Sequence, residues 1–276
     1  MIDQSPLPRF RNPPVSEVAI GVQFQAPVLT PVHLGLFYQS VKARFPTVAV
    51  QAPLQPYFET FGPGPMVQLP FPVMSQLMIQ PRMWFVSADD ASLMQLQSGR
   101  LFFNWRGGLQ QNAYPHFDAV QSEFMKAFDE LEALSRNERL GDVFINQCEL
   151  VYVNPLPVSA TGVPISEPHR IFRIWSDACG EEWRELPEDL GFNIRYRFND
   201  KDGNPFGRLT AALSSGWAGW AQDGPAFHLE MTARGQPIGS GRAGITAFHE
   251  HAHQAIVRCF AAITTPEMHQ RWGRYQ

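Results

Sequence analysis

Polar and apolar positions along this 276-residue chain repeat one pattern twice. In the first round, Glu17 to Gln25 alternates as a strand. Thr30-Pro31 then supplies an N-cap and a first-turn proline for a helix whose buried stripe is Leu34, Phe37, Val41 and Phe45. Pro46 ends that helix, because the residue before a proline avoids helical geometry. The stretch 51–81 is too rich in proline for a helix and reads as short strands and loops. Trp84 to Val86, Leu93 to Gln97 and Leu101 to Trp105 follow as an antiparallel meander joined by polar turns. A long amphipathic helix closes the round: Phe117, Val120, Phe124, Phe128, Leu131 and Leu134 recur at three- and four-residue spacing, with Asp118, Glu123, Lys126 and Glu130 off that stripe.

The second round opens with a strand over Val143 to Val153, a linker over 155–170 and a segment through Trp183 that is partly helical at best. Phe192, Ile194, Tyr196 and Phe198 then alternate with Asn193, Arg195, Arg197 and Asn199, a half-buried strand ending in the turn Asp200-Lys201-Asp202-Gly203. Leu209 to Leu213 should pair with it, and Phe227 to Arg234 alternates as a further strand. A final long helix has Phe248, Ala252, Ala255, Ile256, Cys259, Phe260 and Ile263 on its apolar face, and Thr265-Pro266 caps a last short turn. The expectation is an α+β fold of two similar, closely packed halves, residues 1–140 and 141–276, arising by internal duplication. Each half would be a curved antiparallel sheet packed around its long helix, in a helix-grip-like arrangement.

Composition narrows the function classes. Hydrophobic residues make up 44%, so the chain is globular rather than disordered. Charged residues are only 17%, against about a quarter in an average soluble domain, while Phe and Trp number 21 and 7, which predicts large buried or adhesive surfaces. A net charge of −4 argues against a protein built mainly to neutralise nucleic-acid phosphates. The first twenty residues lack a secretory pattern and no window is apolar enough to span a membrane, so a cytoplasmic protein is expected. Cys148, Cys179 and Cys259 are widely spaced without a C-x-x-C pair, which suits reduced thiols. Of the basic residues only Lys42, Lys126 and Lys201 are lysines, a bias expected of GC-rich bacterial coding.

The sharpest chemical motif is His249-Glu250-His251-Ala252-His253, an H-E-x-x-H match on the final helix. There His249 and His253 could share a zinc or another divalent metal and Glu250 could activate water. A third ligand at metzincin spacing is missing, leaving His251, His228 and Glu230 as candidates to complete a site. Gly239-Ser240-Gly241-Arg242-Ala243-Gly244 matches G-x-G-x-x-G. Too little chain follows it for the parallel strand of a dinucleotide fold, so it reads as a turn. Asp200 to Asn204 has Pro205 where a calcium loop needs glycine, and reads as a hairpin turn. G-x-S-x-G is absent, and no catalytic constellation is complete. The binding candidates are Arg195, Arg197 and Arg208 on adjacent strands, together with Glu149, a polar residue of a strand whose other positions suit a core.

Several segments carry a family resemblance: Pro13-Pro14-Val15-Ser16-Glu17, Trp84-Phe85-Val86-Ser87, Leu93 to Gln97 through Arg100, Asn104-Trp105-Arg106, Tyr114-Pro115, Cys148-Glu149-Leu150, Tyr152-Val153-Asn154, His253, Phe260, Met268-His269 and Trp272-Gly273. Across nearly the whole chain they resemble a sporadically distributed family of prokaryotic proteins of roughly 250 residues, of unknown function, from which no activity, cofactor or catalytic residue carries over. Patchy occurrence implies a mobile or defence-type locus. The leading expectation is a non-enzymatic protein-binding module without a cofactor, with a protein partner, no membrane and no nucleic acid, and with room for a homo-oligomer. The alternative is a small-ligand-binding or metal-dependent enzyme using the helix–sheet cavity and the His249 to His253 segment.

Overall fold

A computed structural model of the chain describes residues 5–61, 81–107, 113–175, 187–217 and 224–276. The alternating segments assemble into one nine-stranded antiparallel sheet: β1 (Glu17–Ala26), β2 (Thr47–Gln51), β3 (Arg82–Val86), β4 (Ser92–Gln97), β5 (Arg100–Arg106), β6 (Phe144–Pro157), β7 (Gly191–Asn199), β8 (Pro205–Trp217) and β9 (Pro225–Gly235). Their spatial order is β2-β3-β4-β5-β1-β6-β9-β8-β7. Strands β1 and β6, which open the two rounds of the sequence pattern, therefore lie side by side at the centre, with Ile20 opposite Leu150. Each of them has the last strand of its own round, β5 or β9, on its other side.

Among the described residues, five α-helices complete the α+β fold: α1 (Pro31–Val41), α2 (Phe117–Asn137), α3 (Val158–Thr161), α4 (Gly241–Ile263) and α5 (Pro266–Arg271). Helix α2 packs on β5 and β1, and α4 on β6, β9 and β8. This face of the sheet contributes Val18, Ile20, Val22, Leu101, Leu150 and Met231 to the core, and each is essentially inaccessible. The helical stripe of α2 is buried as its spacing predicts, including Phe124 and Leu131. Helices α2 and α4 run antiparallel beside each other: Phe117 meets His253 near one end and Arg242 bonds Asp129 and Glu132 near the other. Thr265 caps α5 by accepting from the Met268 N–H.

Strand β6 runs four residues beyond its expected end, through Pro155 and Pro157, where a linker is expected from the prolines. Beyond Val153, which pairs with Glu17, β6 has β9 alone as neighbour, with Pro155 opposite His228 and Pro157 opposite Ala226. A proline there costs no hydrogen bond on the vacated side. The remainder of the expected linker folds into α3 and a short 3-10 turn over Pro168–Arg170. Most of the proline-rich stretch, the uncertain segment up to Trp183, and Cys179 lie outside the described residues. None of the described helices is long and apolar enough to cross a membrane.

The turn at Asp200 closes the β7–β8 hairpin. Its side chain accepts from the Asp202 and Asn204 amides, and Gly203 takes the positive φ of 86°. In the glycine-rich segment, Ile238 N–H donates to the Gly244 carbonyl, and Gly244 lies so close to the Gly239 backbone that a Cβ would stand 2.7 Å from it. These glycines close the turn from β9 into α4.

Candidate functional site

The two outer histidines of the H-E-x-x-H segment sit in the seam between α2 and α4, each against a phenylalanine of α2. His253 stacks flat on Phe117, with ring centroids 4.2 Å apart and planes within 2°, and His249 meets Phe124 edge-on at 5.2 Å. His249 is inaccessible, and its Nε2 lies 3.1 Å from the Gly21 carbonyl oxygen of β1, to which it donates. Its Nδ1 is a buried lone pair without a hydrogen-bond partner among the described residues. Burial pushes this imidazole down to about 4, with the Gly21 and Glu149 backbones pulling weakly the other way. His253 spends Nδ1 on the Tyr152 hydroxyl at 2.9 Å, and burial holds it too at about 4.

The other candidate ligands point elsewhere. His251 packs edge-on against Phe198 and Phe206, at 4.7 and 5.4 Å. His228 and Glu230 alternate with the core residues Leu229 and Met231 of β9, so they occupy the sheet face opposite α4 and cannot complete a site with His251. Among the described residues no group of three His, Cys, Asp or Glu side chains could hold a metal ion. Burial raises both thiols in the described residues, Cys259 to about 11, so neither is a ready nucleophile.

Beside the seam lies a cavity of about 730 Å³ between the chain's N-terminal segment, the start of α2, β6 and α4. Its polar end is a chain of three groups: the Tyr114 hydroxyl lies 2.7 Å from that of Tyr152, which in turn meets His253 Nδ1. Burial raises both phenols above their ordinary value, so all three groups are neutral near pH 7. Asn154, two residues along the same face of β6, donates through Nδ2 to the Leu229 and Tyr152 carbonyls. The walls are apolar, with Phe10, Pro14, Phe117, Ile256 and Phe260 prominent, and the charged Asp118, Glu250 and Arg9 are exposed.

The opposite face of the sheet carries the other candidate residues in one register. Glu149 lies opposite Arg234, Arg234 opposite Arg208, and Arg208 opposite Arg197. Towards the other edge the same row continues through Gly21, Phe102, Gln95 and Trp84. Arg195 lies two residues from Arg197 on β7, and both are exposed. Residues 52–61 cross this face as a strap. Tyr57 N–H donates to Gln23 Oε1, and the Leu54 backbone exchanges two hydrogen bonds with the Gln97 amide. Glu59 pairs with Arg208, and the Arg234 guanidinium lies 4.2 Å from the Tyr57 ring centre. Burial raises the Glu59 carboxyl, opposed by Arg208, Arg234 and Arg195. Arg100, also buried, reaches Gln23 and stands 3.7 Å from Glu149.

The structure thus brings Glu149, Arg208, Arg197 and Arg195 to one surface and places His249 and His253 in a helix seam. Periodicity does not reveal Tyr114, Tyr152 and Asn154, since a buried tyrosine on a strand such as Tyr152 reads as core and Tyr114 lies in the loop before α2. The structure brings Pro13, Tyr114, Tyr152, Asn154, His253 and Phe260 to one cavity. No protein-family model matches the chain, and no curated protein matches it.

Proposed function

We propose that the chain is a non-enzymatic binding protein that docks an acidic protein partner on the arginine-bearing end of the sheet face opposite α2 and α4. The cross-strand row from Glu149 to Arg197 carries this reading. Among the described residues, the arginines at 100, 195, 197, 208 and 234 share that end of the sheet with the carboxylates of Glu59 and Glu149, with Glu230 further along β9 on the same face. The carboxylates are committed to Arg208 and Arg234, which leaves Arg195 and Arg197 exposed on the edge strand β7 with positive charge in excess. Such a surface favours partners of opposite potential and speeds their encounter.

An origin by duplication accords with the strand order, in which each half's first strand pairs with its own last strand and with the other half's first, and with the antiparallel α2 and α4. The half-by-half helix-grip description rests on the same order. A cytoplasmic, prokaryotic setting at a mobile or defence-type locus rests on the family resemblance.

Native mass spectrometry of untagged protein isolated from its own cells tests the reading, with Arg195→Glu/Arg197→Glu alongside the wild type. The expected result is a second polypeptide of defined mass on the wild type, released by salt and missing from the variant. A bare chain in both samples overturns it, as does a partner retained equally by both.

A further inference from the structure

We infer that the cavity beside the α2–α4 seam is a binding site for a neutral, planar heteroaromatic molecule bearing an amide-like edge, one hydrogen-bond donor next to one acceptor. Its volume, about 730 Å³, lies within the range of small-molecule sites, and its lining has the composition of such sites: apolar walls with a few convergent polar atoms. The site is independent of the arginine face, which lies on the other side of the sheet.

The ligand's shape follows from the walls. The His253 ring is fixed on its Phe117 side by the parallel stack and at Nδ1 by Tyr152, while Phe10 and Phe260 meet edge to face at 5.6 Å. Flat rings and aliphatic tips exclude water from a planar guest without offering it a counter-charge. Its neutrality follows from where the charges lie. Asp118, Glu250 and Arg9 are exposed, whereas the inner polar groups are two phenols, an amide and an imidazole that burial keeps unprotonated. A charged ligand would give up its hydration without a partner ion.

The polar edge follows from hydrogen-bond capacity. When Tyr114 donates to Tyr152 and Tyr152 donates to Nδ1 of His253, the neutral ring carries its proton on Nε2. That nitrogen has no hydrogen-bond partner among the described residues and becomes a donor at the cavity wall. Asn154 is itself nine-tenths buried, and both contacts of its Nδ2 go to backbone carbonyls, which leaves Oδ1 as an acceptor on the same wall. A guest with a carbonyl beside an N–H satisfies both. Reversing the two phenol hydrogens moves the imidazole proton to Nδ1 and turns Nε2 into an acceptor. Because Asn154 Oδ1 accepts in both states, the first direction of the relay, with the proton on Nε2, is the one that serves a donor–acceptor edge.

Ligand-observed NMR titration with three probes tests the site: quinazolin-4-one, which has the edge, naphthalene, which lacks it, and 2-naphthoate, which adds a charge. Wild type should bind quinazolin-4-one most tightly. His253→Phe, which keeps the stack on Phe117, should weaken that probe about tenfold and leave naphthalene unchanged. Tyr114→Phe, which alters only the far end of the relay, should weaken it less and serves as the second variant if His253→Phe melts early. The inference is overturned if no probe binds the folded wild type, if 2-naphthoate binds best, if quinazolin-4-one and naphthalene bind alike, or if quinazolin-4-one binding ignores both substitutions.

Discussion

Arg234 and Glu149 face each other across the β6–β9 ladder and are joined by two parallel hydrogen bonds, Nε to Oε2 at 2.8 Å and Nη2 to Oε1 at 2.7 Å. Both side chains are mostly covered, and Arg100 stands close to the same carboxylate. A covered pair of this kind adds little over an apolar pair of the same volume, but removing one member strands the other. Glu149→Ala is therefore expected to cost about 3 kcal/mol of unfolding free energy, since it takes the carboxylate from Arg100 and leaves Arg234 with Glu59 at 3.8 Å. The double variant Glu149→Leu/Arg234→Leu should recover more than half of that loss. Urea denaturation of the three proteins at pH 7 checks the ordering, and a double variant weaker than the single one would contradict it.

The strap offers a test of what holds residues 52–61 to the sheet. Glu59 is its single ionic anchor, reaching Arg208 and, at 3.8 Å, Arg234. Glu59→Ala takes the carboxylate from a covered pair with Arg208 and should cost about 3 kcal/mol, while the strap loosens locally. Hydrogen exchange reads this directly. The Tyr57 amide, which donates to Gln23 Oε1, is expected to gain at least tenfold more in exchange rate than the amides of β1.

What was legible in the sequence follows the physics of each segment. Strands and helices with one buried face announce themselves through their period, and β1, β7 and α2 are legible to within three residues for that reason. The end of β6 was hidden because Pro155 and Pro157 break strands in general, and only the stopping point of β1 at Glu17 makes them harmless. The union of two rounds into a single sheet was also hidden, since no local pattern shows that β1 pairs with β6. At the sites, Arg195, Arg197, Arg208 and Glu149 were legible as one group because alternation assigns them to one face. His249 reads as a possible metal ligand because spacing alone cannot distinguish a histidine aimed at solvent from one donating to the Gly21 carbonyl.

Close packing of backbones predicts one sharp contrast among the strand glycines. A Cβ on Gly235 would collide with the Phe206 carbonyl oxygen and the Phe248 ring, where β9 passes β8 and α4, whereas a Cβ on Gly216 would meet nothing within 4 Å. Gly235→Ala should lose about 1–3 kcal/mol through forced displacement of β8. Gly216→Ala should stay within about 0.5 kcal/mol of wild type, as open surface positions do. Thermal unfolding of the two variants side by side separates them; equal melting temperatures would mean that the β8–β9 contact is looser than its geometry.

The neutral His249 makes stability depend on pH in a defined window. Its imidazole titrates at about 4 in the folded protein, against 6.5 ordinarily, because burial disfavours the charged ring. The unfolded chain therefore takes up the proton first on acidification. The stabilisation from keeping the ring neutral is complete above pH 6.5 and is lost as pH falls towards 4. A displacement of this size is worth about 3 kcal/mol over the whole window. Carboxylates and His253 titrate in the same range, so a difference between two proteins isolates the term. His249→Gln retains an N–H for the Gly21 carbonyl and removes the titration. It should be less stable than wild type at pH 7, where it trades a ring packed on Phe124 for an amide. Its loss between pH 7 and pH 4 should be smaller than that of wild type by about 3 kcal/mol. Urea unfolding at the two pH values measures both slopes, and parallel losses would show that His249 carries no burial penalty for its charge.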